Sequence, residues 1–220
     1  MGANAFGISH FLAAIVLVCS FALLYQDRML ALINVFAAQA FALALAVGWQ
    51  AHIQQAPHLY VTSAIALIMK AGIIPYTLRR IVHKMNILRT IEHVVSVNLT
   101  LLAGVFLTIL SIMVVFPAAR METGLGREDL AFALAIILLG MLMMITRRNA
   151  VSQVIGFMAL ENGLILAATG ARGMPLVVEV SVAFSVLIAF FVFGVFIFRI
   201  RERFDSIDVD ELSAHRGDAE

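Results

Sequence analysis

Three ionisable residues lie inside stretches that are otherwise apolar, and they are the residues of this sequence best suited to chemistry. Glu161 lies in the segment RRNAVSQVIGFMALENG (147–163), and Lys70 and Glu179 lie in two other apolar runs. A charged side chain at the centre of a bilayer costs about 2.5–3.5 kcal/mol on insertion scales, so such residues are usually paired or functional. We therefore consider Lys70, Glu161 and Glu179 as candidates for relaying protons.

Each candidate also has a purely structural interpretation. The long stem of Lys70 could carry its ammonium to the cytoplasmic interface, although Ser63 and Ala66 share its helical face and favour an interior position. Glu161 could be a protonated carboxyl that hydrogen-bonds across helices without any transport role. Glu179 lies about a turn into its apolar run, where a carboxylate favours a helix N-terminus. The sequence alone leaves these alternatives open.

Other kinds of chemistry find no support in the sequence. We identify no nucleophile with its base, no phosphate-binding loop and no set of metal ligands, so we predict no catalytic residue and no metal site. The single cysteine, Cys19, lies in an apolar run and excludes a disulfide framework. The net charge of +1 argues against nucleic acid as a partner.

The composition places the chain in a lipid bilayer. Hydrophobic residues make up 62% of the 220 residues, charged residues only 13%, and the mean hydropathy is +1.00. The N-terminus lacks the basic region of a signal peptide and its apolar run is too long for one, so we predict a retained first span. The prediction is an all-α polytopic membrane protein.

Seven segments are long enough to cross a bilayer as helices. We predict spans at Gly7–Tyr25, Met29–Trp49, His58–Leu78, Val94–Phe116, Leu130–Ile145, Ala150–Thr169 and Leu176–Arg199. The fifth is the shortest, and Pro75 is expected to kink the third.

The distribution of basic residues predicts the orientation. Eleven arginine and lysine residues fall on one side of the predicted membrane: Arg28, Arg79, Arg80, Lys84, Arg89, Arg147, Arg148, Arg199, Arg201, Arg203 and Arg216. Only Arg120, Arg127 and Arg172 fall on the other. Since cytoplasmic loops carry the excess of positive charge, the N-terminus should face outside and the C-terminus the cytoplasm.

The sixth predicted span has two distinct faces. Small residues recur on one of them and predict a close-packing seam: Ser152, Gly156, Ala159, Gly163 and Ala167. At 100° per residue, Glu161 falls nearly opposite this seam, with Gln153 towards its side. Glu161 should therefore face a further helix, a water-filled gap or a partner subunit, but not lipid.

Several short motifs on these spans resemble a known family. The pairs RN (148–149) and Lys70 with Pro75, and the segments GFMALENG (156–163), LVVEVSVA (176–183) and IDVDELSAHRG (207–217), are similar to component E of hydrogenase-4 type complexes. The spacing of RRN (147–149), Gly156 and Asn162 also resembles the K subunit of respiratory complex I. On this basis we divide the chain into a four-helix part (1–128), a K-like three-helix part (129–200) and a cytoplasmic tail (201–220).

The resemblance implies a non-catalytic subunit, multi-pass in the inner (plasma) membrane, of a complex related to group 4 [NiFe] hydrogenases. Nickel–iron and iron–sulfur centres would then lie in peripheral redox subunits, and ion movement would involve antiporter-like membrane subunits; this chain would hold no cofactor. Lys70, Glu161 and Glu179 would be its proton-relay candidates, with Gly156, Asn162, Gly163 and Gln153 as packing or polar support. The alternative is a subunit of a multisubunit cation/proton antiporter without a redox module.

The sequence departs from the K-subunit pattern in one respect. The first membrane glutamate of K subunits would align with Met158, one turn before Glu161, and the second would align with Phe190, where no acidic residue is near. The tail after Arg203 is mixed and acidic, and could be either a solvated end or a segment that docks on the redox arm.

Overall fold

The fold is described from a computed structural model, which describes residues 2–84, 91, 94–118, 124–170 and 187. The chain divides into two compact units, 1–183 and 184–220, and every described residue except Leu187 belongs to the first. Apart from Leu187, the seventh predicted span lies outside the described residues, as do Glu179 and the tail, so the expectations for them stay predictions.

The described part of the chain is helical throughout, without strands. Its helices are α1 (Gly2–Tyr25), α2 (Met29–Gln54), α3 (Pro57–Ile65), a π-helical segment called π1 (Ala66–Ile73), α4 (Ile74–Lys84), α5 (Val97–Ala118), α6 (Gly124–Thr146) and α7 (Ala150–Gly170). The segments α3, π1 and α4 follow one another without a break and act as one rod.

Six of these rods are long and apolar enough to cross a membrane, with α3, π1 and α4 counted as one. They match the first six predicted spans, so that part of the prediction is confirmed for the described residues. The fifth differs in length: α6 begins at Gly124, earlier than the predicted start at Leu130. The hydropathy pattern missed this first part because it carries Arg127, Glu128 and Asp129, whose charges suggested a loop.

Helices α1, α2, α6 and α7 form the centre of the bundle. Helix α1 packs against α2, α5 and α6, α2 packs against the rod α3–π1–α4 and against α7, and α6 and α7 share the most extensive contact. Side chains from all four central helices meet in an apolar core that includes Val16, Leu43, Val47, Ile136 and Ile165. This core is the framework that positions the buried polar residues.

The third rod changes its helical geometry halfway along. The π-helical segment π1 ends just before Pro75, and the N–H of Ile74 bonds to the carbonyl of Met69, five residues earlier. Proline has no N–H to donate and its ring crowds the preceding turn. Both effects favour a wider turn, with more residues per turn, in the helix before it. Lys70 lies inside this widened turn, and short π-helical turns are frequent at functional sites.

Helix α5 is the least buried of the six candidate spans. Large apolar side chains cover its exposed surface, among them Leu102 (66% exposed), Phe106 (66%) and Met113 (67%). Such a surface is unfavourable in water and suits hydrocarbon or another apolar helix.

The excess of arginine and lysine on one side of the predicted membrane gives a testable prediction for the orientation. A reporter fused after Glu220 should read cytoplasmic, and one inserted near Gln54, at the end of α2, should read external. Paired phosphatase and fluorescent-protein fusions in whole cells measure this. Cytoplasmic readings at both positions would contradict the predicted number of spans.

Candidate functional site

A buried ion pair joins the third rod to α7. The ammonium Nζ of Lys70 lies 3.1 Å from the carboxylate Oε2 of Glu161, and the two side chains are only 1% and 3% exposed. Lys70 therefore points into the bundle and does not reach the interface, which excludes the interfacial interpretation. The structure thus brings together two of the three ionisable residues that the sequence singled out.

A series of hydrogen bonds continues from Lys70 across the bundle. The ammonium donates to Oδ1 of Asn162 (2.9 Å), and Nδ2 of Asn162 donates to Oε1 of Gln39 on α2 (3.2 Å). Nε2 of Gln39 then donates to the hydroxyl of Ser20 on α1 (2.7 Å), which donates to the carbonyl of Val16 (3.0 Å). All four polar side chains are at most 3% exposed. One polar network therefore connects four elements: π1, α7, α2 and α1.

The positive charge of Lys70 determines which group donates and which accepts in each hydrogen bond of this series. An ammonium can only donate, so Asn162 must accept with its oxygen and present its NH₂ group to Gln39. Gln39 must in turn accept with its oxygen and donate to Ser20, whose proton goes to Val16. Amide groups do not readily pass protons along, so Asn162 and Gln39 orient the ammonium, and Ser20 orients the amide of Gln39. Among the side chains of this network, only Lys70 and Glu161 carry titratable protons.

The close contact of α6 and α7 holds Glu161 and Asn162 in place. A Cβ atom added at Gly140 would lie 2.6 Å from the backbone N of Leu160, and one at Gly163 would lie 2.9 Å from the carbonyl oxygen of Ala133. A Cβ at Gly156 would lie 3.2 Å from the carbonyl oxygen of Gly140. The small residues of α7 therefore pack against α6 of the same chain, while Glu161 meets π1. Any side chain at Gly140 or Gly163 would push the two backbones apart.

The start of α7 is fixed by its capping residue. Oδ1 of Asn149 accepts from the N–H of Val151 (2.8 Å), and its carbonyl accepts from the N–H of Gln153 (3.0 Å), as expected of an N-cap. The side chain of Gln153 donates to the carbonyl of Arg147 (2.9 Å). Gln153 is thus placed in the α6–α7 turn and does not join the network of Lys70 and Glu161.

Arg147 is a buried residue that the sequence suggested only as a basic loop residue and as part of the RRN motif (147–149). Its side chain is 1% exposed, and Nη2 donates to the carbonyls of Leu23 (3.2 Å) and Leu24 (2.8 Å) near the end of α1. The last carbonyls of a helix lack partners within the helix, and a basic side chain can satisfy them. Nothing local in the sequence distinguishes Arg147 from the exposed Arg148, because the acceptors lie on a distant helix.

Burial lowers the pKa of Arg147 to about 10, and the nearby charge of Asp27 partly opposes this change. The guanidinium is therefore still charged at neutral pH. Because the folded chain releases this proton at lower pH than the unfolded chain, stability from this group rises as pH increases above about 10. At neutral pH the desolvation cost is fully present, and it is offset by the bonds to Leu23 and Leu24.

We expect Arg147→Gln to destabilise the chain by about 1–3 kcal/mol, because two buried carbonyls would lose their charged donor. Thermal unfolding of the purified protein in detergent measures the change. The control is Arg148→Gln, at an exposed arginine one residue away, which should have little effect. Equal effects of the two substitutions would contradict the assignment of Arg147 as the partner of α1.

Comparisons with known proteins identify two kinds of relative of this chain. Over 150 residues, 66% of this chain, the sequence is 33% identical to the uncharacterized protein Rv0085 of Mycobacterium tuberculosis, of which it covers 67%. The chain belongs to the same family as Rv0085.

A second match of this chain is to a protein with a descriptive name. Over 121 residues, 54% of this chain, the sequence is 32% identical to hydrogenase-4 component E of Escherichia coli K12, and equally to that of Shigella flexneri. The chain spans about half the length of these relatives, 55%. The predicted resemblance to component E is therefore confirmed as a distant homology, whereas the resemblance to the K subunit of complex I stays a prediction. No protein-family model matches the chain, and no solved structure matches it.

Proposed function

We propose that this chain is a non-catalytic membrane subunit of a hydrogenase-type, redox-driven ion pump, in which Lys70 and Glu161 relay protons. The observation that carries the proposal is the buried pair of these two residues, 3.1 Å apart, in a chain homologous to hydrogenase-4 component E. The nickel–iron and iron–sulfur centres belong to peripheral partner subunits, and the complex lies in the plasma membrane.

The pair has the chemistry of a one-proton relay. A proton that arrives converts the carboxylate of Glu161 to the acid, and a proton that leaves comes from the ammonium of Lys70. Transfer of the acid proton across the 3.1 Å contact then restores the ion pair. One proton has passed from the Glu161 side to the Lys70 side, and the pair is ready again.

The amide network supports this cycle by holding Lys70 in place. When Glu161 is neutral, the ammonium keeps its hydrogen bond to Asn162, which is itself fixed by Gln39. The amine therefore stays within reach of the carboxyl through the cycle. Reach and orientation matter because proton transfer needs donor and acceptor at hydrogen-bonding distance.

The proposed assembly is tested by copurification. We expect affinity purification of this chain in gentle detergent to recover nickel–iron and iron–sulfur subunits together with antiporter-like membrane subunits, detected by mass spectrometry and metal analysis. Recovery of antiporter-like subunits without a redox subunit would contradict the hydrogenase-type proposal and favour the cation/proton antiporter. Recovery of the chain alone would contradict both.

A further inference from the structure

A second cluster of ionisable side chains lies at the N-terminal end of α1, apart from the network of Lys70. The ring nitrogen Nδ1 of His10 lies 2.7 Å from Oδ1 of Asp129 on α6, and Nε2 lies 3.5 Å from Oε2 of Glu128. We propose that His10, Asp129 and Glu128 form a proton-binding site in which His10 is held as the doubly protonated imidazolium.

The geometry around the ring carries this proposal. Both nitrogens of His10 face carboxylate oxygens, and ionised carboxylates can only accept hydrogen bonds. A neutral imidazole has one N–H and one lone pair, so it would turn a lone pair towards one of the two carboxylates. An imidazolium presents N–H groups to both. Since an imidazole is ordinarily a stronger base than a carboxylate, the extra proton belongs on the ring.

The nitrogen Nε2 shows the need for that proton most clearly. It is buried and makes no hydrogen bond with any described residue, although Glu128 lies at ion-pair distance. A lone pair on Nε2 would be buried without a hydrogen-bond donor, which is unfavourable. It would also face the negative charge of a carboxylate, which is unfavourable as well. Protonation of Nε2 turns this repulsion into attraction.

The three side chains are graded in their exposure. The side chain of Glu128 is 52% exposed, that of His10 18% and that of Asp129 9%. Glu128 is therefore the most accessible of the three groups, the ring is intermediate and the carboxylate of Asp129 is the least accessible. This order suits a site that a proton enters through Glu128.

Neighbouring elements contribute few other titratable groups. Besides His10, α1 contains only Cys19 and Tyr25, and α5 contains none. Helix α6 adds Arg127, α2 adds His52, and α7 adds Glu161. Among the described residues, the charged neighbours that act on Asp129 are His10 and Glu128.

The site is independent of the proposed function. On α1, the buried residues between His10 and Ser20 are Ala13 and Val16, both apolar and 0% exposed. The protonation state of His10 is read directly from its ring nitrogens and needs no ion transport. Either proposal can therefore fail while the other holds.

The test is nitrogen-15 NMR of the full chain, labelled on histidine and reconstituted in lipid bilayers at neutral pH. The chain has six histidines, and the signal of His10 is the one that His10→Gln removes. We expect that signal to have both nitrogens protonated. In the double variant Glu128→Gln, Asp129→Asn, the imidazolium population of His10 should fall roughly threefold or more, since both counter-charges are gone.

If the double variant does not fold, Glu128→Gln alone replaces it, because the side chain of Glu128 is half-exposed and tolerates substitution. The imidazolium population of His10 should then fall in the same direction by a smaller amount. His52→Gln is the matched control, at an exposed histidine near the end of α2, and should leave the His10 signal unchanged. A neutral tautomer of His10 in the unmodified chain would overturn the proposal. So would an imidazolium population that neither carboxylate substitution lowers.

Discussion

Replacing Lys70 with methionine should destabilise the chain by about 3–5 kcal/mol, the range expected when one partner of a buried ion pair is removed. The loss follows from the environment of Glu161, whose carboxylate is 3% exposed and would lose the ammonium 3.1 Å away. Asn162 would lose its donor at the same time. Unfolding of the purified chain in a bilayer mimetic measures the effect.

The double variant Lys70→Met, Glu161→Gln should be much less destabilised than the sum of the two single variants. Without either charge, the remaining side chains have no isolated ion to desolvate, so we expect a coupling energy of about 1.5–3 kcal/mol. Lys70→Arg should be milder than Lys70→Ala, since it retains a positive charge. Arg79→Met, at an exposed residue of the same rod, is the control and should change stability by less than about 0.5 kcal/mol. Additive single effects would show that the two charges do not depend on one another.

Glu161→Gln should abolish most ion-coupled turnover while the complex still assembles. Glutamine keeps the shape of the side chain, but it cannot accept and release the proton that the relay requires. We expect proton uptake by proteoliposomes containing the intact complex to fall about a hundredfold or more, the lower end of the effect of a positioned acid–base group. Glu161→Asp should be less severe, because it keeps the carboxyl group with a shorter reach.

The matched control for Glu161→Gln is Ser152→Ala on the same helix. Ser152 is fully buried, and its hydroxyl makes no hydrogen bond with the residues that the structure describes. Its removal should therefore leave assembly and proton uptake nearly unchanged. Normal proton uptake by a fully assembled Glu161→Gln complex would reduce Glu161 to a packing role and contradict the relay.

Helix packing could be predicted in part because it follows from residue size. The stripe of Ser152, Gly156, Ala159 and Gly163 is visible in the sequence, since the α-helical period places these residues on one face. Its partner surface on α6 was not visible. Gly140 lies among large apolar residues, and only the approach of the Leu160 backbone shows why a side chain there would clash.

The positions of six spans, their apolar character and the unusual nature of Lys70 and Glu161 were determined by the sequence alone, because a buried charge is costly wherever its partner lies. The tertiary structure decided which residues these charges contact. The pairing of Lys70 with Glu161 joins residues far apart in the chain, and the amide series through Asn162 and Gln39 crosses three helices. The same holds for Arg147 and for His10, which resemble ordinary residues near span ends until α1 is packed beside α6. Local periodicity fixes which face of a helix a residue occupies, but only the packing of distant helices fixes what that face meets.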